Sequence, residues 1–147
     1  MRRVVVTGIG TINPLGKNLE SSWDLLINSK SGISKINKFD VNDFPCQIAG
    51  TIKDSYIDNE IVSLRDQRKV DRFITLGLIA AEEAIKDSNI LIDETSSLRS
   101  GVMVGSGIGG LDTIYKNSSI LDNHGIEKYH HFLFHHLLLI YYLVKYQ

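Results

Sequence analysis

Apolar and polar positions along residues 1–128 predict strands and helices in alternation. Residues 3–7 form a β-branched run that ends at a glycine, which is typical of a strand buried on both faces of a sheet. Residues 100–104 have the same character and predict a second buried strand. Residues 47–52 follow a turn and predict a short strand, which Gly50 weakens.

Helical periodicity marks three further segments. Leu19, Trp23 and Leu26 recur at helical spacing and predict an amphipathic helix that stops at residues 30–32. Apolar positions at i, i+3, i+4 and i+7 between Val70 and Ile85 predict the longest helix. Residues 111–121 predict a third helix. The order strand, helix, strand, helix, strand, helix predicts an α/β fold built in layers.

Composition narrows the class of protein. A chain of 147 residues with 43% hydrophobic content can bury one core, and a net charge of −1 argues against a protein that coats nucleic acid. Cys46 is the only cysteine, so no internal disulfide forms, which fits a reducing cytoplasm. No apolar run reaches the about 20 residues that a membrane-spanning helix needs. We therefore expect a cytoplasmic protein with neither a nucleic-acid nor a membrane partner.

The pattern changes abruptly after Lys128. Residues 129–147 consist largely of His, Tyr, Leu and Phe, contain no turn residue and hold four of the five histidines. If the codons are A/T-rich, a shift of the reading phase by one base restores proline, glycine and serine to this segment. Our hypothesis is a frameshift near Lys128 that leaves residues 129–147 as an aberrant tail and ends the chain early at Gln147. Gene codons that cannot be re-phased in this way would remove the hypothesis.

A glycine-rich turn follows the second buried strand. Gly105, Gly107 and Gly110 have the spacing of the dinucleotide fingerprint, in which glycines let the backbone approach a pyrophosphate. That fingerprint belongs after the first strand, with an acidic residue about 20 positions later at the end of the next strand, and here no strand is predicted to follow. A tight packing turn and an acyl or carbonyl site are the other interpretations, and the turn's residues leave all three open.

Cys46 and the tail histidines are the candidate reactive groups. Cys46 follows Pro45 in a turn with no histidine nearby in sequence, and an inert, partly buried thiol is the simpler interpretation than a nucleophile. The tail contains four histidines: His130, His131, His135 and His136. They include an i, i+4 pair that could bind a metal if the segment were helical. Under the frameshift hypothesis the pair is accidental, and we expect no metal site.

Several segments together resemble one known family. They are residues 2–10, 13–16, 31–33, 39–40, 65–73 and 105–110. In this order and at this spacing they resemble the N-terminal part of a type II β-ketoacyl-acyl-carrier-protein synthase, from Arg2 to about Lys128. The re-phased tail also resembles what that family carries next, a proline-flanked pair of phenylalanines that leads to a helix.

The resemblance implies a thiolase-like α/β/α/β/α sandwich of two similar halves, of which this chain is an incomplete N-terminal portion. It also implies a homodimer and a reaction without metal or nucleotide cofactor. In that reaction an acyl group moves from a carrier-protein thioester to a cysteine, and decarboxylation of malonyl carrier protein then drives carbon–carbon bond formation. The family's reactive cysteine and two histidines lie beyond the matched segment, so we expect no catalytic residue here.

The resemblance also assigns two kinds of binding residue. Ile108 matches the position whose side chain gates the acyl pocket, although core packing would equally place an apolar residue there. A basic patch that docks the acidic carrier protein is matched by Arg65, Arg68, Lys69 and Lys128, with a solvated charged stretch as the alternative.

Three functions follow from these assignments: a synthase, a non-catalytic remnant of one, and a module that docks carrier protein or a synthase partner. The remnant is the function that the sequence favours, because the reactive groups that the family needs are not in the matched segment.

Overall fold

The computed structural model describes residues 3–125, which form two compact units. Among these residues the first unit comprises 3–62 and 79–90, and the second comprises 63–78 and 91–125. The elements in chain order are α1 (Leu19–Ile27), β1 (Ile33–Lys35), β2 (Ile48–Gly50), a 3-10 turn (Asp54–Tyr56), α2 (Leu64–Gln67), α3 (Arg72–Ser88), α4 (Glu94–Ser97) and α5 (Leu111–His124). The fold is therefore mixed helix and strand, as the sequence predicts.

Helix α1 begins at a reciprocal cap. The Asn18 side chain accepts a hydrogen bond from the Ser21 backbone N–H at 3.0 Å, and the Ser21 hydroxyl accepts one from the Asn18 N–H at 3.3 Å. Such a cap satisfies N–H groups that have no partner inside the helix and contributes about 1 kcal/mol. The helix ends before Ser29, whose φ is 54°. The predicted helix is confirmed, and it ends at Ile27, three residues before the predicted stop at residues 30–32.

The second half of α3 holds the N-terminal segment of the first unit. Gly8 and Gly10 lie so close to this helix that a Cβ on Gly10 would meet the carbonyl oxygen of Ala80 and, at 2.6 Å, the nitrogen of Ala84. Next to this contact, Glu83 accepts hydrogen bonds from two backbone N–H groups. Only glycine permits so close an approach between two backbones. The helix predicted from Val70 to Ile85 is confirmed.

The antiparallel pair β1 and β2 also lies in the first unit, with Ile33 opposite Gly50 and Lys35 opposite Ile48. Strand β2 confirms the strand predicted within residues 47–52. Strand β1 was not predicted from the sequence.

Residues 3–7 and 100–104 are not strands, so the prediction of two buried strands is wrong for the described structure. Val4 is 91% exposed and Met103 is 98% exposed. A strand exists only when a neighbouring strand takes up its backbone hydrogen bonds, and in residues 3–125 no segment pairs with either run. The apolar pattern showed a surface suited to burial but could not show what would cover it.

Candidate functional site

The basic residues Arg65, Arg68 and Lys69 lie on α2 and on the turn that ends it, and all three are exposed. Helix α2 starts at Ser63, whose hydroxyl accepts a hydrogen bond from the Asp66 N–H at 3.2 Å and donates one to the Asp66 carboxylate at 2.8 Å. Arg65 and Arg68 are three positions apart on helical backbone, a spacing that brings side chains onto one face. The segment therefore presents a small basic surface held by a defined cap.

One of these basic residues already has an acidic partner. The Lys69 ammonium lies 3.0 Å from a carboxylate oxygen of Asp66, and the two side chains are 47% and 31% exposed. Ion pairs this exposed contribute at most about 1 kcal/mol, so an approaching acidic surface can compete for Lys69. The fourth residue of the predicted patch, Lys128, lies outside the described residues.

Ile108 lies in the glycine-rich turn before α5 and is 74% exposed. It is not packed into a core of the described structure. The turn closes at Gly109, whose φ of 81° lies in the region that favours glycine.

The carboxylate of Asp71 lies against the end of the glycine-rich turn, a contact that sequence reasoning missed. Asp71 accepts a hydrogen bond of 2.8 Å from the Thr113 hydroxyl, and its carboxylate occupies the space where a side chain on Gly110 would have to lie. An Asp directly before a helix is a recognised start signal, and Asp71 does precede α3. Nothing in the sequence shows that its side chain reaches a residue 42 positions away.

Cys46 is exposed, so the predicted partial burial is wrong: the turn at Pro45 carries the thiol toward solvent. Its sulfur donates a hydrogen bond to the carbonyl oxygen of Ile48 at 3.4 Å. Within residues 3–125, no group of three or more potential ligand side chains is placed to hold a metal ion. The tail histidines fall outside this range. No helix in the described portion is long and apolar enough to cross a membrane.

Comparison with known proteins places the chain beside one family. The family model described as "Beta-ketoacyl synthase, N-terminal domain" matches residues 1–136. The 3-oxoacyl-acyl-carrier-protein synthase 2 of Vibrio harveyi is 45% identical over 127 residues, which is 86% of this chain and 30% of the relative. The enzyme of the same name from Staphylococcus aureus (strain COL) is 37% identical over 112 residues, 76% of this chain and 27% of the relative.

Solved structures agree with these relatives. A chain from a complex described as a type II PKS acyl-carrier protein with its ketosynthase bound to the hexaketide matches with a TM-score of 0.62 and 26% identity. The match covers 90% of this chain and 34% of that one. The present chain thus spans about a third of the length of the proteins that it matches.

Proposed function

Because the chain belongs to the beta-ketoacyl synthase family, we propose that it represents the N-terminal part of a 3-oxoacyl-acyl-carrier-protein synthase. The observation that carries this proposal is the 45% identity over 127 residues with the Vibrio harveyi enzyme of that name. The reaction lengthens a fatty acyl chain. The malonyl carboxylate leaves as carbon dioxide, the resulting enolate carbon attacks the acyl thioester carbonyl, and the thiolate is released. We also propose that the chain forms part of the thiolase-like sandwich that goes with this function.

The 147 residues do not catalyse this condensation by themselves under our proposal. Acyl transfer needs a thiolate activated by a base or by a helix N-terminus. The only cysteine, Cys46, lies exposed in a turn, and its sulfur donates a hydrogen bond to the carbonyl oxygen of Ile48 rather than contacting a base or a helix N-terminus. The chain supplies scaffold and binding residues, and the reactive groups come from elsewhere in an intact synthase.

Docking of an acidic acyl carrier protein is the binding role that we assign to Arg65, Arg68 and Lys69, with Lys128 as a fourth member. The three described residues are exposed and lie within five positions of one another on a capped turn. The solved complex that the chain resembles contains a ketosynthase with its carrier protein. This support also favours the second candidate function, a non-catalytic module that binds carrier protein. Charge complementarity of this kind mainly speeds encounter and orients the partner.

Ile108 is the residue that we assign to the acyl pocket. Its side chain is exposed on a turn and is not held by the described core. An apolar surface of this kind suits an alkyl chain, which gains about 0.8 kcal/mol for each methylene that it buries. No cofactor takes part in the proposed reaction, and homodimerisation and a cytoplasmic location complete the proposal.

The organisation of the chain is also a proposal. We assign residues 1–128 to the synthase domain and residues 129–147 to a frameshifted tail. Sequencing the gene from the codon for Lys128 to beyond that for Gln147 tests this assignment. Codons that re-phase into a proline-flanked, glycine-containing segment support it, and codons that do not re-phase contradict it.

A binding measurement tests the docking role. The Arg68→Glu variant should bind purified acyl carrier protein about tenfold more weakly than the parent chain, since reversing one interfacial charge costs on the order of 1.4 kcal/mol. Arg99→Glu is the matched control, because Arg99 is exposed, lies outside the patch and changes the net charge equally. Fluorescence anisotropy with labelled carrier protein at two salt concentrations gives both affinities. Equal losses in the two variants would remove the docking assignment.

A further inference from the structure

Two contacts in the second unit join the start of α3 to the glycine-rich turn. In the first, the Asp71 carboxylate accepts a hydrogen bond of 2.8 Å from the Thr113 hydroxyl and lies against Gly110. In the second, the ring of Phe73 reaches to 3.8 Å from the position that a Cβ on Gly109 would take. Residues 71–73 therefore support the turn at two consecutive glycines.

Both glycines are required by this arrangement. A side chain on Gly110 would occupy the space that the Asp71 carboxylate fills, and Gly109 has a φ of 81°, where other residues are strained. The carboxylate also lies beside the first turn of α5, where the helix dipole favours negative charge. Sterics and electrostatics thus hold the turn in one position against Asp71.

Asp71 is also tied to the basic patch by the chain itself. Its backbone carbonyl accepts the Ile74 N–H at 3.0 Å and so closes the first turn of α3, while Lys69 lies only two residues before it. Lys69 in turn is held to Asp66 and through it to the cap of α2. Only Val70 separates Lys69 from Asp71, so we expect a displacement of the basic residues to move Asp71 through the backbone.

We propose that Asp71 is a positioning residue that couples the carrier-protein docking segment, residues 63–70, to the glycine-rich turn that carries Ile108. An acidic carrier protein that engages Arg65, Arg68 and Lys69 restrains Asp71, and the Asp71–Thr113 contact restrains the turn. Binding of the carrier protein thereby restrains the turn that carries Ile108, the residue assigned to the acyl pocket. This inference rests on the proposed docking function.

Hydrogen–deuterium exchange read by mass spectrometry tests the coupling at micromolar concentrations of the 147-residue chain. Acyl carrier protein should slow exchange both in residues 63–70 and in residues 104–114 of the parent. Thr113→Val removes the hydroxyl donor with little change in shape; it should keep the protection of residues 63–70 and lose at least half of that in residues 104–114. Thr113→Ser should restore both.

Thr95→Val is the matched control, since it makes the same chemical change on a different helix, α4. It should behave as the parent. Protection of residues 63–70 alone in the parent would overturn the coupling while leaving docking intact. Full protection of both segments in Thr113→Val would likewise overturn the coupling alone. No protection at residues 63–70 in the parent would overturn the docking proposal and the coupling with it.

Discussion

Removing the carboxylate of Glu83 tests how the first unit is held together. Its two oxygens accept hydrogen bonds from the Thr11 N–H at 2.8 Å and from the Leu19 N–H at 2.7 Å. Leu19 is the first residue of α1, so one carboxylate on α3 joins the N-terminal segment to the start of another helix. In Glu83→Ala both N–H groups lose their acceptor.

The expected loss follows from the number and kind of these bonds. A hydrogen bond to a charged group contributes about 1.5–3 kcal/mol. Because both bonds are only partly buried, water can hydrogen-bond to the two N–H groups in the variant and offset part of this loss. Glu83→Ala should therefore lower the free energy of unfolding by about 2–4 kcal/mol. With a urea dependence of about 2 kcal/mol per molar, the midpoint should fall by about 1–2 M. Trp23, the only tryptophan and a residue of α1, reports the transition by fluorescence.

The neighbouring Glu82 is the matched control. It lies on the same helix and pairs with Lys86 at 3.2 Å, with 42% of its side chain exposed. A surface pair four residues apart contributes about 0.3–0.5 kcal/mol, so Glu82→Ala should move the urea midpoint by less than about 0.3 M. If the two variants lose the same stability, the carboxylate of Glu83 does not hold the two segments as described.

Two further predictions concern a close approach and a helix cap. Gly10→Ala should destabilise the first unit by about 1–3 kcal/mol in the same urea assay, because the added Cβ would meet the backbone of Ala80 and Ala84. A change below about 0.5 kcal/mol would contradict that contact. The Ser96 backbone N–H holds the pKa of Asp93 below its ordinary value. The cap of α4 should therefore persist above about pH 4 and be lost as the pH falls through that lowered pKa. The Ser96 amide resonance should follow this loss in a pH titration, and Asp93→Asn should abolish the pH dependence.

The three longer helices, α1, α3 and α5, were predictable because their pattern is long and local, whereas α2 and α4 have only four residues each and were not predicted. Helix α3 shows its apolar face over 17 residues, and the Leu111 to Leu121 prediction falls within α5. The start of α1 at Asn18 also follows from a local rule, since its cap joins residues three apart. Signals of this kind need no knowledge of what lies elsewhere in the chain.

The unpaired state of residues 3–7 and 100–104 and the long-range contacts were not predictable for the opposite reason. The β-branched runs at residues 3–7 and 100–104 have the composition of strands. A strand also needs a neighbouring segment to pair with, and composition does not show which segment that would be. Glu83 is an ordinary polar-face residue in sequence, and its partners Thr11 and Leu19 lie 72 and 64 positions away. The contact of Asp71 with Thr113 lies equally beyond local rules.

The binding roles of the basic patch and of Ile108 were predicted from the resemblance to a known family, and not from the residue pattern alone. Arg65, Arg68 and Lys69 were matched to family positions, and their exposure on α2 and its end is compatible with that match.

The most direct test of the central claim is a condensation assay on the purified 147-residue chain. Radiolabelled malonyl carrier protein and an acyl thioester are incubated with the chain, and 3-oxoacyl product and released carbon dioxide are measured. We predict no product above the protein-free background, because under our proposal the chain supplies scaffold and docking residues and its one cysteine, Cys46, is not an activated nucleophile. Formation of 3-oxoacyl product that depends on the chain would contradict the account.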